Sequence, residues 1–184
     1  MLLTVTACVI IPIYTILFAW GTDWFTLNFS VLGNLATRKN AFLIWGIIVG
    51  AYFYFTLKRI IRRLPRNTKE SILLTTALIL LALAVTTPYL PEVKPFRSLL
   101  HVFFAFTASV LLLACLYLVV WKLYCMKRSV YRPYLTCLNI ITVLSTALLI
   151  LAGIVSTALE VFFTISCTLL LRRLYLRVTI SKYS

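Results

Sequence analysis

The sequence predicts an all-α, polytopic integral membrane protein: six transmembrane helices in three hairpins, with both termini cytoplasmic. Three observations carry that prediction. The 184 residues are 62% hydrophobic and 12% charged, about half the ~25% charge of a soluble domain. The apolar residues fall in long runs, each near the roughly 20 residues a helix needs to cross a ~30 Å hydrocarbon core. The basic residues, which set a net charge of +14, gather between those runs, where they fix topology and meet anionic headgroups.

The elements follow in order. Residues 2–20 have no basic leader before them and no small-x-small site after them, so they read as a retained first span. A polar loop, 21–40, leads into the second span, 41–57. That span ends in Lys58, Arg59, Arg62, Arg63 and Arg66, with Pro65 as a stop. The third span, 71–87, gives way to Pro88, Pro91 and Pro95, which make a stiff, extended connection. The fourth, 99–121, meets a basic loop, 122–133, followed by Tyr134; with Tyr124 and Tyr131 it suits a membrane interface.

Residues 134–171 carry no Lys or Arg and one acid, Glu160. One helix of that length, at ~1.5 Å per residue, would overshoot the core almost twofold, so two spans are expected, 135–152 and 156–171, with a turn near 153–157. Six spans put Lys58, Arg59, Arg62, Arg63, Arg66, Lys69, Lys122, Lys127, Arg128, Arg132, Arg172, Arg173, Arg177 and Lys182 on one side. Arg38, Lys39, Lys94 and Arg97 fall on the other. Five spans would divide the same residues almost evenly, and the positive-inside rule selects six in a single domain, 1–184. Trp20, Trp24 and Trp121 fall near span ends, as an aromatic belt requires. No apolar run alternates with period two, which excludes a membrane β-barrel.

The placement of the basic residues argues against nucleic acid and for membrane lipids as partners. Arg59, Arg62, Arg63, Arg128, Arg172 and Arg173 are the expected anionic-lipid contacts. Cys8, Cys115, Cys125, Cys137 and Cys167 are scattered and read as small hydrophobes between helices. Cys125, in a basic loop beside the membrane, is a candidate for palmitoylation in a eukaryotic host. Gly46 and Gly50 form a GxxxG pair suited to close helix packing, within the chain or with a second copy or a membrane partner. Asn139, Thr142, Ser145 and Thr146 give the fifth span a polar stripe for helix–helix hydrogen bonds.

The chemistry-bearing candidates are two ionisable residues in apolar surroundings. His101 opens the fourth span and Glu160 the sixth, so the topology brings both to the outer face, where pairing would lower the cost of burying them. The segment 28–34 is too apolar for a solvated loop and too polar for a span. It is expected to fold back as a lid, with Gly33 allowing a turn and Ser30 and Asn34 joining the site. Asn28-Phe29-Ser30 matches an N-glycosylation sequon, but it lies close to the membrane and such triplets often occur by chance, so no glycosylation is expected there.

Asp23, His101 and Glu160 are too thin a set for zinc, which wants three protein ligands. No metal or other cofactor is expected. A Ser/His/acid set can be drawn from Ser30, His101 and Glu160, although no GxSxG elbow is present.

The run Phe29-Ser30-Val31-Leu32-Gly33, a polar linker and the apolar residues 42–50 resemble the first outer loop and second span of the DUF998 family, whose members carry an S-x-L-G element there. His101, opening a span after a proline-containing loop, is similar to that family's histidine. Glu160 after Gly153 resembles the acid that opens its last span. Val161 replaces the basic residue that usually follows that acid, and Val31 replaces the acid of the S-D-L-G form. The resemblance implies a six-span fold related to proteins that touch lipid remodelling and autophagy, and an outer polar site, without implying a reaction.

The expected function is an outer-face pocket, lined by Ser30, Asn34, His101 and Glu160, for a lipid headgroup or small amphiphile in the plasma membrane. Alternatives are a membrane-embedded lipid hydrolase or transferase using His101 as base, a small transporter, and a partner subunit of a membrane complex.

Overall fold

Long apolar stretches with few helix breakers give long helices, and the computed structural model, which describes residues 1–180, is helical nearly throughout. Seven helices run through the described residues. They are α1 (Leu2–Ala19), α2 (Phe29–Asn34), α3 (Lys39–Ile61), α4 (Thr68–Thr86), α5 (Pro95–Met126), α6 (Arg128–Ala152) and α7 (Thr157–Ile180). A π-helical turn, Thr6–Ile10, lies inside α1. Lys182, counted with the third basic cluster, lies outside the described residues.

Five of these helices, α1, α3, α4, α5 and α6, are long and apolar enough to cross a membrane. The chain is a multi-pass helical membrane protein. The sixth long helix, α7, differs in a physically informative way. Only eleven residues, 161–171, separate Glu160 from Arg172 and Arg173, so composition alone does not make it a span. Packing explains its apolar face: α7 contacts α1, α3 and α6, and Cys167, Leu171 and Leu174 are fully buried. One core joins all six long helices, with Ile11, Leu57, Leu74, Leu116, Leu138 and Leu171 at its centre. The outward faces are bare hydrocarbon, with Ile150 74% and Leu151 80% exposed. Such residues are suited to lipid, and in water they would form an apolar patch far beyond what soluble monomers carry.

The helices overrun the expected spans. α5 has 32 residues, or about 48 Å at ~1.5 Å per residue against a ~30 Å core. Charged side chains at its ends can reach the headgroup layer without breaking the helix. The expected basic loop 122–133 is accordingly helical, with only Lys127 between α5 and α6. Gly153 supplies the expected turn: it caps α6 at φ +69° and donates to Leu149 O at 2.9 Å.

One glycine expectation changes. Gly33 is not a turn residue. It sits inside α2, where a Cβ would lie 2.6 Å from Phe42 Cγ, so its role is close approach of α2 to α3. Gly46 and Gly50 face Val85 and Leu81 of α4. The GxxxG pair thus packs α3 closely against α4, its within-chain use.

Hydrogen bonds identify the two ends of the bundle. At the basic end, Arg63 Nη1 donates to Val178 O at 2.7 Å and Lys122 Nζ to Arg66 O at 2.8 Å. At the opposite end, Thr157 N donates to Leu27 O at 2.7 Å and Ala158 N to Trp24 O at 2.8 Å. There Arg38 caps the end of α1, donating to Phe18 O at 3.0 Å and Trp20 O at 3.3 Å.

Candidate functional site: a polar clasp over one end of the bundle

The site is built on α2, a helix of six residues that cannot hold itself together in isolation. Asn28 caps it, its Oδ1 accepting from Val31 N at 2.9 Å. Apolar packing seats it: Phe29 and Leu32 are 1% and 2% exposed, and Phe29 meets Phe18 and Trp45 edge-on, each with ring centroids 5.0 Å apart.

Three polar side chains then tie α2 to its surroundings. His101, on the second turn of α5 and 3% exposed, uses both ring nitrogens. Its Nδ1 lies 2.8 Å from Thr87 O and its Nε2 2.6 Å from Ser30 Oγ. A carbonyl only accepts, so the proton is assigned to Nδ1. In the neutral ring, Nε2 is then the acceptor for the Ser30 hydroxyl. Asn34 Nδ2 donates to Ser30 O at 2.8 Å, and Asn34 Oδ1 accepts from Tyr89 N at 3.3 Å. Glu160, from the first turn of α7, accepts from Phe29 N through Oε2 at 2.6 Å.

All four expected residues thus meet on α2, but not as expected in detail. His101 and Glu160 do not pair. The two His101 nitrogens are taken by Ser30 and Thr87, and Glu160 grips the backbone one residue earlier. A Ser/His/acid triad is therefore absent, because the group orienting His101 is a backbone carbonyl rather than the Glu160 carboxylate. What remains is a Ser30–His101 dyad. Asp23 holds a turn, accepting from Phe25 N at 2.9 Å and Thr26 N at 3.3 Å. Those bonds hold its carboxyl below the usual carboxylate range. No three His, Cys, Asp or Glu side chains gather among the described residues.

A cavity of about 100 Å³ lies beside the clasp, lined by Gly33, Asn34, Lys39, Phe42, Leu43, Val85, Thr86, Thr87, Pro88 and His101. Of the expected ligand-binding residues, Asn34 and His101 line it. Ser30 acts on it through His101, and Glu160 is not in its wall. Lys39, in the wall, was not a site candidate in the sequence, where it counted only as a topological charge.

The basic end holds a second polar centre that the sequence reading missed. Glu70 is fully buried and meets Lys122 Nζ at 2.6 Å; its Oε2 has no hydrogen-bond partner. The missed signal was an acid one residue before the expected third span, which in fact begins at Thr68. Arg59, Arg62, Arg128 and Arg173 are exposed at this end, and Arg128 stacks over the Tyr124 ring at 5.5 Å. Arg63, also exposed, donates through Nη1 to Val178 O, and Arg172 Nε is buried without a partner. Of the polar stripe of α6, Asn139 and Thr142 bond across helices, with the Tyr117 hydroxyl 3.0 Å from Asn139 Oδ1 and 2.9 Å from Thr142 Oγ1; Thr146 donates to Thr142 O within α6 and Ser145 Oγ is buried without a partner.

Fold and site together define a multi-pass helical membrane protein with a hydrogen-bonded clasp over one end. Compared with protein-family models, curated proteins and solved structures, the chain matches none.

Proposed function

We propose that the chain is a six-span plasma-membrane protein with both termini cytoplasmic, whose clasp faces outward and whose cavity receives the polar headgroup of a lipid or small amphiphile. The observation that carries this reading is the His101 network, which walls a small cavity of mixed polar and apolar lining at the end of the bundle away from the basic clusters. His101, Asn34 and Lys39 bring hydrogen-bonding groups, one of them cationic, to a wall otherwise made by Phe42, Leu43 and Val85. A volume near 100 Å³ is several times the ~10–15 Å³ that one water needs, so it fits a headgroup fragment while acyl chains stay in the bilayer. The charge asymmetry supports the orientation, and the burial of α7 supports its place in the bundle as the sixth span. The DUF998 resemblance supports the same reading, since its serine, histidine and acid positions fall on α2, α5 and α7 of the clasp.

Thermal unfolding with added lipids tests it, because a ligand bound only by the folded state raises the midpoint. One headgroup class is expected to stabilise the wild type and not a Leu43→Trp variant, in which the cavity is filled. Equal shifts in both proteins for every lipid would overturn the reading.

The Ser30–His101 geometry favours a second reading, acyl transfer from a lipid ester. Ser30 Oγ would attack the acyl carbon as its proton passes to His101 Nε2, which returns it to the departing alcohol. A fluorophosphonate should then label Ser30 in the wild type and not in His101→Ala; an unlabelled Ser30 in the wild type removes this reading.

A further inference from the structure

At the basic end, a groove of about 450 Å³ runs between α6 and α7, within the ~300–1,000 Å³ of pockets that hold small molecules. Its chemistry is graded. Arg173 and Arg177, four residues apart and so on one face of α7, line its polar part. Cys137 and Leu170 line its apolar part, and Tyr134 stands between, its hydroxyl 3.5 Å from Arg173 O. From Arg177 to Leu170 the helix rises about 10 Å, so cationic and apolar walls follow one another along the bundle axis.

Among the described residues the charge of this groove has no acidic partner. The sequence contains four acids, Asp23, Glu70, Glu92 and Glu160. Asp23, Glu92 and Glu160 lie at the clasp end, and Glu70 is taken by Lys122 in the only ion pair among the described residues. Arg173 and Arg177 are both exposed, and a guanidinium is suited to bidentate contact with a phosphate. We infer that this groove is a discrete site for one anionic phospholipid, with the phosphate on Arg173 and Arg177, the ester region beside Tyr134, and the acyl chains along Cys137 and Leu170. The apolar wall below the two arginines selects a lipid over a free anion. The inference is independent of the clasp, which lies at the other end of the bundle.

Native mass spectrometry of the full chain, released from phosphatidylglycerol–phosphatidylcholine nanodiscs, reads the site directly. The wild type should retain one phosphatidylglycerol in preference to phosphatidylcholine. Arg173→Gln/Arg177→Gln should weaken retention about tenfold or more, since each cation near an anionic headgroup contributes to binding. Arg59→Gln/Arg62→Gln removes the same charge from other exposed arginines at this end and should weaken retention far less. Cys137→Trp, which keeps both arginines and fills the apolar part, should also lose the lipid.

Equal losses from the two arginine pairs would mean diffuse surface attraction and overturn the proposal. Retention that survives both Arg173→Gln/Arg177→Gln and Cys137→Trp would overturn it too. Displacement of the lipid by millimolar inorganic phosphate or glycerol phosphate would make the groove an anion site and contradict its assignment to a lipid.

Discussion

Lys122→Met is expected to destabilise the protein by about 3 kcal/mol or more, because it strands the Glu70 carboxylate in a place it cannot leave. Glu70 is fully buried and its one charged partner is Lys122 Nζ at 2.6 Å. The same ammonium donates to Arg66 O at 2.8 Å, and Arg66 is a non-glycine residue held at φ +47°, a left-handed conformation that is unfavourable without outside support. Loss of Lys122 therefore removes a counter-ion and releases the turn between α3 and α4. Thermal unfolding in detergent should show a large drop for the single variant. Glu70→Leu/Lys122→Met should recover most of it, since a buried pair replaced by apolar groups is often neutral. A double variant as unstable as the single one would mean that the turn contact, and not the buried charge, dominates.

His101→Phe should loosen the clasp while leaving the bundle intact. The substitution keeps a planar ring, removes both ring nitrogens and leaves Thr87 O and Ser30 Oγ without their His101 contacts. An unsatisfied buried polar group costs about 1–3 kcal/mol, which predicts a roughly tenfold or greater rise in exchange for the amides the clasp protects. Those include Tyr89 N, on Asn34 Oδ1 at 3.3 Å, and Leu90 N, on Ser98 Oγ at 2.8 Å. Core amides around Leu57 and Leu171 should not change. Hydrogen exchange with mass spectrometry checks this, and unchanged exchange at 87–90 would show that apolar packing alone seats α2.

Much of the helical frame was legible in the sequence because its signals are local: apolar runs, basic ends, Gly153 as a cap. The bounds were less legible. Hydropathy marks where lipid ends, whereas a helix ends where its backbone stops, and α5 continues past both limits. The four clasp residues were legible as ionisable or polar groups in apolar surroundings. Their partners were not, because hydrogen bonds such as Glu160 to Phe29 N join positions 131 residues apart, and no spacing encodes that. Gly33 shows the same limit. A glycine required by a neighbouring Phe42 ring looks, in sequence, like a glycine required by a turn. Glu70 escaped notice because a basic segment around it made one acid look solvated.

The most direct test of the headgroup cavity is photo-crosslinking in nanodiscs with a phospholipid bearing a diazirine on its headgroup, followed by mapping of the labelled peptides. Labels are expected to concentrate on residues 33–43 and 85–88 in the wild type and to vanish from them in His101→Ala. Labels spread over the lipid-facing surfaces of α5 and α6, with none at the clasp in either protein, would contradict a headgroup site there.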